Sequence, residues 1–375
     1  MANTDYKKFV EDTFEAVKKE NQDLKKVNLL VVGKSGVGKS TLINTVFGEE
    51  IVQTGVGTPV TDQISLIEKE NFPVRIYDTV GFEIGSLGFD IKDVVKTFKR
   101  NPVQQLIKKV QATETLEDDI HVAWYVISGS GSRIEEAEIS FINWMVQQKI
   151  PVVVVLTKCY NLVEANMLKN KIEELISSSK NIVMVLAKDT ENQESFGIEE
   201  LVQVTVADLP QGLQASFIHS QEASIKVKHN EAAKVVAATM AANFGTGFTP
   251  VPGADAPIMM ASQSAMITKI TSIYGIDIDK QKLETALAGM LGVYTAMISG
   301  KTIAGGIAKM LPGIGTVGGG LISGGVGMVI TGALGYAYME LMEQVLKGQV
   351  DLSSVTPDAL TNLLVELLPK YLPNK

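Results

Sequence analysis

Cysteine occurs once in the 375 residues, as Cys159, and arginine only three times, as Arg75, Arg100 and Arg133. A single thiol excludes an internal disulfide and suits a reducing compartment. So few arginines, in a chain whose formal net charge is -8, leave no basic stripe to neutralise a phosphate backbone, and no direct nucleic-acid partner is expected. The opening residues, MANTDYKKFVEDTFEAVKKE, contain no apolar core of the kind a secretory signal needs, so a cytoplasmic location is expected. The three histidines, His121, His219 and His229, stand too far apart in sequence to make a metal-ligand pattern.

Charge is also missing from a large part of the chain. Residues up to Pro210 carry 31 acidic and 23 basic side chains, whereas the rest carries 11 of each and holds 21 of the 33 glycines. At this length two domains are expected, and the composition divides them near Pro210. Between Met310 and Met339 no residue is charged, which is long enough to span a bilayer. Ten glycines and Pro312 in that stretch argue for a turn, and the spacings Gly315 to Gly319 and Gly320 to Gly324 suit close helix contact in lipid or in a packed core. Hydropathy does not separate these readings, so peripheral and integral membrane association both stand as expectations.

What is present is an alternation. Residues 1–26 read as an amphipathic lead-in helix, with Phe9, Val10, Phe14, Val17 and Leu24 on one face. Then VNLLVVG, ISLIEKE, VRIYDT, HVAWYVIS, PVVVVLTK and NIVMVLAK read as strands separated by helical stretches. That pattern predicts an α/β domain over 27–210 with a mostly parallel sheet covered on both faces. Beyond it the spacing predicts only helices, near 220–243, 255–274, 279–299, 301–311, 320–347 and 356–371, and hence an all-α, Gly/Ala-rich domain over 220–375. Asp255 reads as the cap of one of these helices, and Met259, Met260 and Met266 as core filler.

The first strand and first helix of the α/β domain flank GKSGVGKST, Gly33 to Thr41, which matches G-x-x-x-x-G-K-S/T. In that strand–turn–helix context the pattern is a phosphate-binding loop. The amides of Gly33, Ser35, Gly36, Val37, Gly38 and Thr41 can turn toward phosphate, Lys39 can reach the β- and γ-phosphates, and the Ser40 hydroxyl can bind Mg²⁺. DTVG follows at the end of the strand VRIYDT: Asp78 can hold Mg²⁺ through water, and the Gly81 amide can sense the γ-phosphate. GTPVTDQ lies between them and offers Thr58 and Thr61 as the residue that closes on Mg²⁺, Thr61 being preferred because it precedes the next strand.

Together these residues resemble the Era-type and septin-like branch of the translation-factor class of P-loop GTPases, over about residues 27–209. The resemblance implies GTP and GDP as ligands with Mg²⁺ and hydrolysis of GTP, expected to be slow because Phe82 stands at the place of the catalytic glutamine. It further implies that LTKCYN places Thr157 and Lys158 in the base pocket, and that Ala187 and Lys188 of LAKD rest against the base. Three departures follow. Gly36 stands where potassium-dependent Era-type enzymes have Asn, Phe82 where Ras-like enzymes have the water-orienting Gln, and Tyr160 where the guanine-reading Asp is expected. Glu83 and Arg133 are candidates to replace the missing catalytic group, with plain solvated charges as the alternative reading. Tyr160 can stack on the base, donate its hydroxyl or merely face solvent, and Asp189 is a candidate substitute for the lost carboxylate.

The helical half, through its Pro-Gly-Ala-Asp turn and the run LPGIGTVGGGLISGGVG, is similar to the YcjF-like helical domain that follows Era-type GTPases, and more weakly to immunity-related GTPases. The expectation is a nucleotide-controlled switch whose helical domain contacts a membrane or, as a nucleotide-dependent homodimer, another copy. The alternative is a structural or membrane-active protein whose nucleotide domain binds but barely hydrolyses, with relaxed base choice.

Overall fold

Consecutive apolar residues, rather than alternating ones, set the centre of the α/β unit. In the computed structural model, which describes residues 3–48, 51–54, 56–61, 64–79, 102–111, 118–130, 133–176, 181–245, 256–298, 324–367 and 370–371, helix α1 (Asn3–Gln22) precedes a sheet of seven strands. These are β1 (Val27–Val32), β2 (Val56–Thr61), β3 (Ile64–Glu68), β4 (Val74–Thr79), β5 (Val122–Ser128), β6 (Val152–Thr157) and β7 (Ile182–Met184). Their order is β2-β3-β4-β1-β5-β6-β7. β1 runs parallel to both β4 and β5, and β6 and β7 continue the parallel run. Every residue of β1 and β6 is buried, as a strand covered on both faces requires.

Side chains of period two feed two cores. Leu30, Val32, Tyr125, Ile127, Val154 and Leu156 point to one face, where they meet α4 (Pro102–Gln111), α5 (Glu136–Gln147) and α6 (Leu162–Leu175). Leu29, Val31, Trp124, Val126, Val153 and Val155 point to the other, toward α2 (Lys39–Phe47), which is followed by the short α3 (Ile51–Thr54), and toward α7 (Ile198–Asp208) and α8 (Gln211–Ser220). There Phe47 stacks on Trp124 with ring centroids 6.0 Å apart, Phe217 meets both edge-on, and the Trp124 indole donates to Thr205 Oγ1 at 3.0 Å. Each aliphatic side chain so buried contributes roughly 1.5–3 kcal/mol relative to exposure.

Two expectations need correction here. The described part of GTPVTDQ, read as a loop before the sheet, belongs to β2 (Val56–Thr61): an antiparallel partner of β3 at the sheet edge, with Thr58 opposite Leu66, Thr61 opposite Ile64, and a register shift between Pro59 and Thr61. Proline, which lacks an amide to donate, is tolerated at such an edge. The lead-in helix, placed in a segment of its own over 1–26, belongs with the helices. The chain divides into one unit of Leu24–Val227 and another of Met1–Asp23 with Lys228–Lys375, so the division falls inside helix α9 (Ile225–Gly245), not at Pro210.

In the helical unit, α1 lays Val10 and Val17 into a core built with α9, α10 (Ala256–Tyr274), α11 (Lys280–Ile298), α12 (Gly324–Leu346) and α13 (Pro357–Leu367). The Thr13 hydroxyl lies 2.7 Å from Ser264 Oγ on α10. A Cβ added at Gly335 would fall 2.8 Å from Val236 and 3.0 Å from the Met266 sulfur, so the missing side chain is what lets α12 approach α9 and α10. Ala333, Leu334, Ala337 and Tyr338, from the uncharged stretch, are buried in this core, as is Met266. Among the described residues no helix is long and apolar enough to cross a membrane, which leaves the integral expectation without a spanning helix there. The expected helix at 301–311 and the capping Asp255 lie outside the described residues.

Lys228 is fully buried, and its Nζ donates to the carbonyls of Ile273 and Tyr274, both at 3.0 Å. The last carbonyls of α10, which have no partner within the helix, are thus closed by a cation at the negative end of the helix dipole. Nearby, Tyr274 donates to Glu343 at 3.0 Å and His229 Nδ1 lies 2.7 Å from the same carboxylate oxygen. Lys228→Ala removes the cap and leaves a void, so it is expected to cost the helical unit about 2–4 kcal/mol. Urea denaturation followed by a probe in that unit checks this, with the exposed Lys234→Ala as the variant that leaves the midpoint in place.

Candidate nucleotide-binding site

The carboxyl ends of β1, β4, β5 and β6 lie side by side, with Val31 opposite Asp78, Val32 opposite Tyr125 and Ser128 opposite Thr157. In an open parallel sheet this edge is where the loops converge on a ligand. Gly33 leaves β1 so close to β5 that a Cβ on it would stand 2.4 Å from the Val126 carbonyl oxygen. Gly38, with φ 102°, turns the chain through the left-handed region into α2, and no side chain caps that helix. Its first amides are therefore left for a ligand, with the positive end of the helix dipole behind them.

Lys39 is 7% exposed and donates from Nζ to the carbonyls of Gly33 at 2.8 Å and Lys34 at 3.0 Å. Burial lowers its pKa, and the charge of Asp78 opposes that shift. Asp78, at the end of β4, is equally buried, and its Oδ1 has no hydrogen-bond partner among the described residues. Desolvation pushes its pKa up to about 6, against the opposing pull of the Lys39 ammonium. Ser40 and Thr41 are exposed at the start of α2. An orphaned buried carboxylate oxygen near an open helix start and a serine hydroxyl fits a Mg²⁺ ion that keeps water and takes its remaining ligands from phosphate. No group of three His, Cys, Asp or Glu side chains among the described residues could hold a metal without such help.

The loop after β6 is fastened to the phosphate loop at two points. The Thr157 hydroxyl donates to the Val37 carbonyl at 2.5 Å, and Lys158 Nζ donates to the Gly36 carbonyl at 2.6 Å. Lys158 itself takes a left-handed φ of 54°, a conformation uncommon for a side chain of its size. It is held by the Ser130 hydroxyl, which donates to its carbonyl at 2.6 Å, while Gly129 N donates to Thr157 O at the same distance. The buried Cys159 packs beneath, its amide 3.4 Å from the Val185 carbonyl, which joins this loop to the segment carrying Ala187 and Lys188. Ala187 is half-buried and Lys188 exposed. Tyr160 is 57% exposed, and Asp189 is turned to its own loop, where Oδ1 accepts from Ser195 N at 2.6 Å.

Sequence reasoning did not find the partners of Lys34. Its Nζ lies 2.6 Å from Glu135 and 3.6 Å from Glu138, the two acids that cap α5 reciprocally. The E-x-x-E spacing signals the cap of that helix and not its pairing with Lys34. Arg133 is exposed just before it. Thr58 and Thr61 are described only as backbone of β2, and Gly81, Phe82 and Glu83 lie outside the described residues.

A family model described as septin matches residues 24–231, more than half of the chain. The chain belongs to the septin family. Its sheet unit is accordingly a septin-type P-loop GTPase domain, and a second model, a domain of unknown function designated DUF697, matches residues 208–364 of this septin-family chain. It is 28% identical over 163 residues to GTPase Der of Buchnera aphidicola, covering 42% of this chain and 32% of that one. It is 25% identical over 195 residues to Septin-8 of Xenopus tropicalis, covering 49% and 45%. The chain thus spans less than half the length of these curated relatives. Among solved structures, a probable GTP-binding protein engB aligns with 24% identity and a TM-score of 0.33, over 48% of this chain and 97% of that one.

The raised pKa of Asp78 has a sign. Between about pH 4 and pH 6 the folded nucleotide-free protein retains a proton that the unfolded chain has released, so this group's unfavourable contribution grows as pH rises and is complete above that window. Asp78→Asn should therefore stabilise the nucleotide-free protein by roughly 1–3 kcal/mol at neutral pH and hardly at all near pH 4. Denaturant midpoints of both proteins at the two pH values test this, and a gap independent of pH would contradict it.

Proposed function

We propose that this septin-family chain is a GTP-binding and GTP-hydrolysing switch whose nucleotide state is passed to its helical unit. The observation that carries the proposal is the pairing of a buried ammonium, Lys39, held on loop carbonyls, with a buried carboxylate oxygen of Asp78 that has no hydrogen-bond partner among the described residues. Such a pair is costly until a polyanion and a cation complete it. The amides from Gly33 to Thr41 and the start of α2 would bind the β- and γ-phosphates, while Thr157, Lys158, Ala187 and Lys188 would border the base. Ser40 and Asp78, with Thr61 closing from β2, would hold Mg²⁺. The ion, when bound, supplies divalent charge to the β- and γ-phosphate oxygens. As water attacks the γ-phosphorus and its bond to the β–γ bridging oxygen breaks to give GDP and phosphate, Lys39 and the loop amides would stabilise the developing charge, and the Gly81 amide would sense the γ-phosphate.

Phe82 replaces the glutamine that would orient the attacking water, so turnover is slow in the isolated chain. The same residue favours the second reading, in which the domain binds nucleotide and hardly hydrolyses it. For the helical unit we propose peripheral contact with a membrane surface or with a second copy in a nucleotide-dependent homodimer, in the cytoplasm. Its support is the charge-poor, glycine-rich sequence beyond Pro210.

Lys39→Ala separates a switch from a passive binder. GTP affinity should fall at least about 10–100-fold, the loss of hydrogen bonds to a charged group. Binding to liposomes, or self-association by ultracentrifugation, should differ between GTP and GDP in the natural protein and lose that difference in the variant. Indifference of both readouts to nucleotide in the natural protein would leave no switch to explain.

A further inference from the structure

Lys34 is the second residue of the phosphate-binding loop, and its two ends do different things. Its main-chain carbonyl accepts from Lys39 Nζ at 3.0 Å, beside the Gly33 carbonyl at 2.8 Å. Its side chain leaves the loop and crosses to the start of α5, where Nζ donates to Glu135 Oε1 at 2.6 Å and stands 3.6 Å from Glu138 Oε2. An exposed ion pair of this kind would hold little, because long side chains lose as much freedom as they gain in attraction. Here one partner is buried. The Glu138 carboxylate is fixed by two further donors, the Glu135 amide at 2.9 Å to Oε2 and the buried Tyr125 hydroxyl at 3.4 Å to Oε1. Among the described residues Lys34 is the cation paired with it, and a buried carboxylate stripped of its cation is costly.

The far side of the loop is held separately, by Thr157 on Val37 O and Lys158 on Gly36 O. Neither bond reaches the two carbonyls that carry the Lys39 ammonium. Those carbonyls belong to the peptide groups on either side of the Lys34 Cα, so whatever anchors this residue limits the rotation of both. Gly33, with no side chain, offers little resistance to such rotation. The anchor is therefore the Lys34 side chain, stretched to a carboxylate that β5 and α5 hold still.

Resting on the phosphate-site reading above, we infer that Lys34 is a positioning residue, whose ion pair with Glu135 and Glu138 holds the two carbonyls that aim the Lys39 ammonium at the β- and γ-phosphates. Lys34 itself touches no phosphate and acts through Lys39. The start of α5 thereby becomes part of the phosphate site without contributing a ligand to it.

GTP affinity of the full-length protein in Mg²⁺, measured in a double-substitution cycle, tests this. Lys34→Met keeps the reach of the side chain and removes its charge; it should weaken GTP about 10-fold, in line with misplacing a charged group by part of an ångström. In a Lys39→Ala background the same change should cost less than about 2-fold, since residues that act as one unit are not additive. Lys34→Arg, which retains the charge, should stay within about 3-fold of the natural protein. Glu135→Gln approaches from the other partner and should weaken GTP about 3-fold, which keeps the inference open to refutation if Lys34→Met does not fold. Equal losses in the two backgrounds would make Lys34 a support of the fold or a phosphate ligand in its own right, and would overturn the inference. So would natural affinity in both Lys34→Met and Glu135→Gln, or a Lys34→Arg protein as weak as Lys34→Met. A natural protein that binds no GTP removes the inference together with the phosphate-site reading, whereas an additive cycle removes the inference and leaves that reading standing.

Discussion

An ammonium group buried to 7% exposure, touching two main-chain carbonyls and set near a carboxylate oxygen with no partner among the described residues, is the constraint around which the sheet unit is arranged. Lys39 can be held there only if the chain leaves β1 in a tight curl, and the curl is possible only because Gly33 has no side chain to strike the Val126 carbonyl. Asp78 reaches the same place because β4 runs parallel to β1 in a register that ends the two strands together. Both polar groups are expensive in the nucleotide-free protein, where burial shifts each toward its neutral form. Stability is thus spent in advance on a site that a polyanion and a cation would complete.

The sheet tolerates this because its centre is strongly over-determined. β1, β5 and β6 are apolar on both faces, and aromatic packing of Phe47, Trp124 and Phe217 ties α2 and α8 to the strand beside the phosphate loop. The same packing explains where the unit ends. Pro210 looks like a boundary in the sequence, yet α8 follows it and sends Phe217 into the sheet's core.

Much of this was legible in the sequence because the signals were local. Six of the seven strands are runs of β-branched and apolar residues, and the loop motif sits between the first of them and a helix. β2 was not legible because Pro59 and its neighbouring threonines carry the composition of a turn, and an edge strand demands little else. The affiliation of α1 was hidden for another reason: an amphipathic face says that a helix has a partner and not which one. Lys228 could not be recognised as a buried cap, since nothing near it in sequence marks the carbonyls of Ile273 and Tyr274 as its acceptors. At the site, residues given by a motif came together on backbone that the motif itself requires. The pairing of Lys34 with Glu135 and Glu138, across a hundred residues, belongs to tertiary structure alone.

The two fastenings from Thr157 and Lys158 to Val37 and Gly36 have a mechanical meaning. They fix the span between the loop after β1 and the loop after β6 before any ligand arrives, and on the function proposed above they would make the protein a calliper set to one molecular length. A nucleotide that matches it engages both jaws for one loss of translational freedom, whereas a free base and a free pyrophosphate would each incur that loss separately. Short of any base-specific contact, the chain would then reject ligands by length, and a substitution in either jaw would be felt in the other.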